Sequence, residues 1–223
     1  MSLLGAGDGE SRSYPEIADA IRRHGAAARA DLRELWRRMV LTVLISNTDD
    51  HLRNHGFLYD GPEGWRLSPA YDLNPVPVDL KHRVLSTALG LDEDRTSSLN
   101  LALESAAEFD LSRAEARALA RTVADVVATW RRVATQQGAT AREIERMASA
   151  FKHADLTSAL AVTVGHSRAL RRPHWRDSLG SIGDLALGDV ILDRLFHHAH
   201  RNTPTGGSLR SLVTPDSADV SAD

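Results

Sequence analysis

Three residues have the types and the order that phosphate chemistry needs: Asp49, Asn54 and Asp72. Asn54 and Asp72 offer two hard oxygen ligands, an amide and a carboxylate. Magnesium takes one or two such groups and completes its octahedron with water and phosphate oxygens. A further carboxylate five positions before the asparagine, Asp49, could orient a hydroxyl and accept its proton. Together these are the parts of a phosphoryl-transfer centre: a base, an amide on the metal, and a second metal-binding carboxylate. Asp and Asn are also common loop residues, so a second reading stands beside the first: a solvated loop that ends a helix.

The flanking elements must bring the three together. Upstream, Leu32, Leu35, Trp36, Met39, Val40, Val43 and Leu44 recur at helical spacing, with Arg33, Glu34, Arg37 and Arg38 on the other side. That helix ends at Ser46-Asn47 and delivers the polar run Thr48–His55. Gly56–Tyr59 and Trp65–Leu67 read as short strands around the turn residues Asp60-Gly61-Pro62-Glu63-Gly64. Prolines at 69, 75 and 77 exclude regular helix through the next stretch. The hairpin returns the chain, which can bring Asp72 near Asn54 although 18 positions separate them.

The remaining pattern is helical. Ser13-Tyr14-Pro15-Glu16, Ser112 to Glu115 and Thr140 to Glu143 are capping boxes. They open a helix stopped at Gly25, a long helix carrying Leu119, Val123, Val126, Val127 and Trp130, and a helix through about Phe151. Leu99 to Phe109 is a weaker helix, and residues 78–98 look irregular. Residues 154–182 hold no sustained period, Asp184–His200 reads as helical, and 203–223 as frayed. Trp36, Trp65 and Trp130 suit a core. The expected class is mainly α with one small β-hairpin. Residues 1–12 form a flexible start, 13–156 a lobe, and 157–223 a partly disordered extension.

Composition narrows the function classes. The 223 residues are 42% hydrophobic and 26% charged, which excludes wholesale disorder. With 27 basic and 30 acidic residues, the net charge of -3 gives no global pull toward nucleic acid or anionic membrane. The absence of cysteine excludes disulfides, thiolate metal sites and cysteine nucleophiles. No apolar run is long enough for a membrane span, and the first residues have no signal-peptide pattern, so the expected compartment is the cytoplasm. His51 and His55 are four apart, yet Asn54-His55-Gly56 argues against the helix that a zinc pair would need. His197, His198 and His200 fit a solvated helix end, and Arg168, Arg171, Arg172 and Arg176 a solvated linker.

The spacing Asp-x-x-x-x-Asn is that of a kinase catalytic loop. The full strings Ser46-Asn47-Thr48-Asp49-Asp50-His51-Leu52-Arg53-Asn54 and Gly64-Trp65-Arg66-Leu67-Ser68-Pro69-Ala70-Tyr71-Asp72-Leu73 resemble the HipA family, serine/threonine kinase toxins of bacterial toxin–antitoxin systems. The resemblance covers about residues 3–156 and implies the helical C-terminal lobe of a protein-kinase-like fold. It makes Asp49 the catalytic base, sets Asn54 and Asp72 on Mg2+, and places His51, Arg53 and Tyr71 near the phosphates of ATP. It assigns nothing to Asp50. It implies a protein hydroxyl as substrate and a HipB-like DNA-binding antitoxin as partner.

A kinase of this family also needs an N-terminal lobe with a phosphate-covering loop and a lysine. The sequence begins too close to Asp49 for such a lobe, and its first lysine is Lys81. The N-terminal lobe is therefore expected to be absent, either encoded separately or lost, and the chain inactive alone. The alternatives are a non-enzymatic lobe of a split kinase or antitoxin-binding module, and a small-molecule phosphotransferase. Residues of about 173–212 resemble the C-terminal end of IstB-like transposition helper ATPases. There Arg194 matches an arginine that acts on a neighbour's nucleotide, but the Walker A loop is missing, so no second ATPase is implied.

Overall fold

Helix α1 (Tyr14–His24) starts where its capping box sets it: the Ser13 hydroxyl accepts from the Glu16 N–H, and the Glu16 carboxylate accepts from the Ser13 N–H at 2.7 Å. The computed structural model describes residues 4, 5, 7, 12–80, 82–92 and 94–162. Ile17, Ala20 and Ile21 of α1 face the core. Helix α2 (Ala28–Leu44) has no side-chain cap and depends on packing instead. All seven residues of its predicted stripe are buried, and Trp36 is fully enclosed. Removing a side chain of that size would cost about 3–5 kcal/mol. Arg38, expected on the polar face, is buried too. Its Nη2 donates to the Ser68 carbonyl at 2.7 Å and its Nε to Glu34 at 3.1 Å.

Strands β1 (Phe57–Tyr59) and β2 (Trp65–Leu67) form one antiparallel hairpin, pairing Phe57 with Leu67 and Tyr59 with Trp65. Its turn sits against the end of α1, where the Ala26 N–H donates to the Trp65 carbonyl at 2.8 Å. Gly64 makes that approach possible: its φ is 119°, and a Cβ there would lie 2.4 Å from the His24 carbonyl oxygen.

Residues 78–98 are irregular but tethered. Ser13 bridges Ala88, and Val84 bridges Thr96. Helix α3 (Leu99–Glu104) runs on as a 3-10 turn to Phe109. Helix α4 (Arg113–Val127) follows its predicted box and packs along α2. Helices α5 (Trp130–Gln136) and α6 (Ala141–Met147) come next, with Trp130 stacked on Phe151 at 4.2 Å.

Helix α7 (Ala154–Leu160) falls where no period was expected. It runs through residue 156, the expected end of the lobe, and buries Leu156 and Ala159 against α4. Among the described residues no helix is long and apolar enough to cross a membrane. The expected helix at Asp184–His200, the histidines at 197, 198 and 200, and the arginines at 168, 171, 172 and 176 lie outside the described residues.

Candidate active site

The site begins at the buried end of α2. Helix ends leave carbonyls without intrahelical partners, which is costly away from water. Here those of Thr42, Val43 and Leu44 each find one. The Ser46 N–H donates to the Val43 carbonyl at 3.3 Å and the Asn47 N–H to the Thr42 carbonyl at 2.9 Å. That is the paired bonding of a Schellman cap, normally built on glycine. Ser46 takes the left-handed position with φ 56°, and its buried hydroxyl donates to the Ala150 carbonyl at 2.9 Å. Arg83 Nη2 reaches Val43 O at 2.9 Å, and His153 Nε2 reaches Leu44 O at 3.0 Å. The chain therefore leaves α2 in one direction.

Side chains then hold three successive carbonyls of the loop. Ser86 donates to Thr48 O at 3.3 Å, Asn54 Nδ2 to Asp49 O at 3.1 Å, and Thr87 to Asp50 O at 2.9 Å. Leu52–Asn54 form a single 3-10 turn. The neighbouring aspartates point opposite ways: Asp49 is exposed and Asp50 is buried. The Tyr14 hydroxyl donates to Asp50 Oδ2. His55 Nε2 lies 3.2 Å from Asp50 Oδ1, and the His55 ring meets Tyr14 edge-on at 5.2 Å. Burial first, and the adjacent Asp50 charge second, push the Tyr14 hydroxyl well above its ordinary pKa.

The second segment is placed by the hairpin. Buried Asp31 of α2 accepts from Arg66 through both oxygens, at 3.0 Å from Nε and from Nη2, and from the Leu67 N–H at 3.0 Å. Past the hairpin, the Ser68 N–H donates to Gly56 O at 2.9 Å and the Tyr71 hydroxyl to Arg53 O at 2.5 Å. Gly56 leaves room for that closure, since a Cβ there would lie 2.9 Å from Ser68 Oγ and 3.2 Å from the Tyr71 oxygen. The Arg53–Tyr71 bond ties together the residues just before Asn54 and Asp72. Asp72 itself is exposed, with φ 54°, and its Oδ1 accepts from Asn74 Nδ2.

The donor set suits a hard cation. Because Asn54 donates through Nδ2, its amide oxygen is the atom presented to a ligand, and Asp72 keeps Oδ2. Among the described residues no three His, Asp or Glu side chains gather in metal-binding arrangement. A cation held by these two oxygens would draw the rest of its shell from phosphate and water, which magnesium does and structural zinc does not. His51 and His55 flank the 3-10 turn rather than sharing a helical face, and His55 turns inward to Asp50.

Residues 1–131 match the model of the HipA-like C-terminal domain. The chain belongs to the HipA-like C-terminal domain family. Curated relatives include a Haemophilus influenzae protein named "Putative kinase", 32% identical over 99 residues, 43% of this chain and 29% of that protein. Another is "Putative kinase Y4dM" of Sinorhizobium fredii, 38% identical over 71 residues, 32% of this chain and 15% of that protein. This HipA-like chain thus spans under a third of the curated relatives it matches. Among solved structures, a chain of the Shewanella oneidensis HipA, HipB and operator DNA complex aligns with a TM-score of 0.40 at 16% identity, over 87% of this chain and 37% of that one. The IstB-like resemblance of residues 173–212 finds no support in these matches and falls outside the described residues.

Of the residues expected at the HipA-like site, Asp49, His51, Arg53 and Asn54 share one loop, joined to Tyr71 and Asp72 by the Arg53–Tyr71 bond. Arg53 is exposed, and His51 is half-buried with its Nδ1 enclosed. The hydroxyl of Tyr71 is engaged with the Arg53 backbone, so only its ring faces outward. Sequence reasoning missed the braces: Ser86 and Thr87 from the irregular segment, and Tyr14, His55 and Asp50 beneath the loop. Asp50 left a trace as a second aspartate without an assigned task, and His55 as half of a zinc pair that the sequence argued against.

Proposed function

We propose that this HipA-like lobe carries the base and the metal ligands of a Mg2+-dependent kinase, which transfers the γ-phosphoryl group of ATP to a serine or threonine hydroxyl of a protein. The observation that carries the reading is a pair of ties, one inside the loop and one from the loop to the second segment. Asn54 is bonded to the Asp49 backbone, and Tyr71 is bonded to Arg53, one residue before Asn54. Exposed Asp49 accepts the proton of the attacking hydroxyl as its oxygen bonds to the γ-phosphorus and the bond to the bridging oxygen of ADP breaks. Asn54 and Asp72 hold the cation, which neutralises charge on the phosphate oxygens when bound. Ser86, Thr87 and the α2 cap keep these side chains placed, and placement supplies much of the acceleration in this chemistry.

The same reading makes the lobe dependent on a companion. Its lysines are Lys81 and Lys152, and Lys152 pairs with Glu145 at 3.5 Å on α6. The lysine that protein kinases set on the α- and β-phosphates is assigned in this reading to a second lobe. Exposed Leu58 and Tyr59 on β1 lie next to the site and suit such a contact. A HipB-like antitoxin is the proposed regulatory partner, on the strength of family membership.

The test is phosphate transfer from labelled ATP with Mg2+, using the chain alone and together with a lysine-bearing lobe encoded beside it. Transfer should appear only in the mixture and fall at least about a thousandfold in Asp49→Asn. Undiminished transfer in that variant would remove the proposed base.

A further inference from the structure

We infer that Asp50 is a positioning residue for the loop that carries Asp49 and Asn54, acting through a buried cluster with Tyr14 and His55. The consequence for chemistry rests on the phosphoryl-transfer reading above; the mechanical claim does not.

The Asp50 side chain is 2% exposed, inside a protein where a carboxylate has no water to solvate it. Its hydrogen bond comes from α1, and a second ring packs beside it from beyond the loop. The Tyr14 hydroxyl, at the first turn of α1, donates to one oxygen. The His55 imidazole, beyond the 3-10 turn, stands 3.2 Å from the other. Asp50 therefore ties its end of the segment between Asp49 and Asn54 to α1, while the His55 ring at the other end packs edge-on against the same tyrosine. The anchor itself is fixed, because the Tyr14 N–H donates to Ala88 O at 2.9 Å and neighbouring Thr87 donates to Asp50 O at 2.9 Å. In this way α1, the irregular segment and the loop meet on one residue.

The arrangement also sets direction. With the Asp50 carboxylate held inward, its neighbour Asp49 turns outward, where a substrate hydroxyl can reach it. If the Tyr14 donor is lost, a buried carboxylate is left short of a partner. It regains one by moving toward water, and that motion carries Asp49 with it. Tyr14→Phe makes this change at nearly constant volume. Asp50→Asn keeps an acceptor for the Tyr14 hydroxyl and removes the charge.

The experiment uses the full chain. Amide hydrogen exchange is followed at Asn54 and His55, whose N–H groups are bonded to His51 O at 2.8 Å and Leu52 O at 3.1 Å. Amides of α4 serve as the reference for global opening. Mn2+ affinity is measured in parallel by water-proton relaxation, with Asp72→Ala as the ligand control. Tyr14→Phe should speed exchange at Asn54 and His55 by about tenfold, leave α4 unchanged, and weaken Mn2+ by about fivefold. Adding Asp50→Asn to Tyr14→Phe, which replaces the unpaired buried carboxylate by a neutral amide, should return most of both. Loop amides at wild-type rates in Tyr14→Phe, or α4 accelerated equally, would overturn the inference. Wild-type Mn2+ binding that Asp72→Ala does not diminish would instead remove the metal reading, while the exchange data still decide the role of Asp50.

Discussion

The Asn54 side chain donates through Nδ2 to the Asp49 carbonyl at 3.1 Å, so the proposed metal ligand also braces the backbone of the proposed base. The two roles use opposite ends of one amide, and substitutions can separate them. Asn54→Asp keeps an oxygen ligand but loses the donor. Asn54→Ala loses both. We expect Asn54→Ala to weaken Mn2+ binding about tenfold and to cost ~1 kcal/mol of stability. Asn54→Asp should bind Mn2+ at least as tightly as wild type while sharing the stability loss. Urea unfolding and Mn2+ titration check both. Wild-type Mn2+ affinity in Asn54→Ala would show that this amide is no ligand.

Ser46 offers a test of how the loop is aimed. It occupies the left-handed cap position that glycine fills most cheaply, yet its hydroxyl satisfies the Ala150 carbonyl. In Ser46→Gly, about 1–2 kcal/mol of left-handed strain is relieved while a bond worth ~1 kcal/mol is lost. The net change should fall within ~1 kcal/mol. Ser46→Ala keeps the strain and orphans the carbonyl, costing ~1–2 kcal/mol. Ser46→Val adds β-branching and should be the least stable of the three. Equal urea midpoints for the Val and Gly variants would mean that the cap does not hold this conformation in solution.

What could be read from the residues alone was what short-range physics controls. The boxes at Ser13, Ser112 and Thr140 each form as read, because cap and partner lie three residues apart. The α2 stripe and the hairpin obey their own periods. The Asp49–Asn54 spacing sits inside one loop, so it too was visible. Helix α7 was not. Its cap is His153, whose Nδ1 accepts from the Leu156 N–H at 3.4 Å, and its ion pair is Arg83 to Asp155 at 2.6 Å, 72 positions apart. Ser86 and Thr87 were hidden for the same reason: nothing local marks an irregular segment as the brace of a loop nearly 40 residues earlier.

Asp31 joins the hairpin to α2 and so decides where the second site segment begins. Its two oxygens serve the Arg66 guanidinium and the Leu67 N–H together. Arg66 is 42% exposed on its side chain, so the charge pair is partly screened, and the buried backbone donor carries more weight. Asp31→Ala strands that N–H and should cost ~2 kcal/mol, whereas Asp31→Asn keeps one acceptor and should cost about half as much. Exchange of the Leu67 amide should quicken in the Ala variant, and Mn2+ binding through Asp72 should weaken with it. An unchanged Leu67 amide in Asp31→Ala would show that the hairpin is held by other contacts.

His153 makes the support under α2 sensitive to pH. Its Nε2–H donates to Leu44 O and its Nδ1 accepts from Leu156 N–H, which defines a neutral imidazole. Burial, and then the Arg83 cation, lower its pKa below the usual 6.5; the carbonyl bonds and Asp155 pull the other way and lose. As pH falls below about 6.5 the unfolded chain takes up a proton that the folded chain refuses, so stability drops. The contribution is complete above pH 6.5 and is lost toward the lower folded value. The carboxylates held low in the fold, Glu115 and Glu143 among them, titrate from 4.5 downward and act in a separate window. Asn keeps the cap acceptor and does not titrate. The wild-type chain should therefore lose stability between pH 7 and 5.5 relative to His153→Asn, measured by urea unfolding at each pH. Parallel curves for the two proteins would place the imidazole in solvent, away from Leu44.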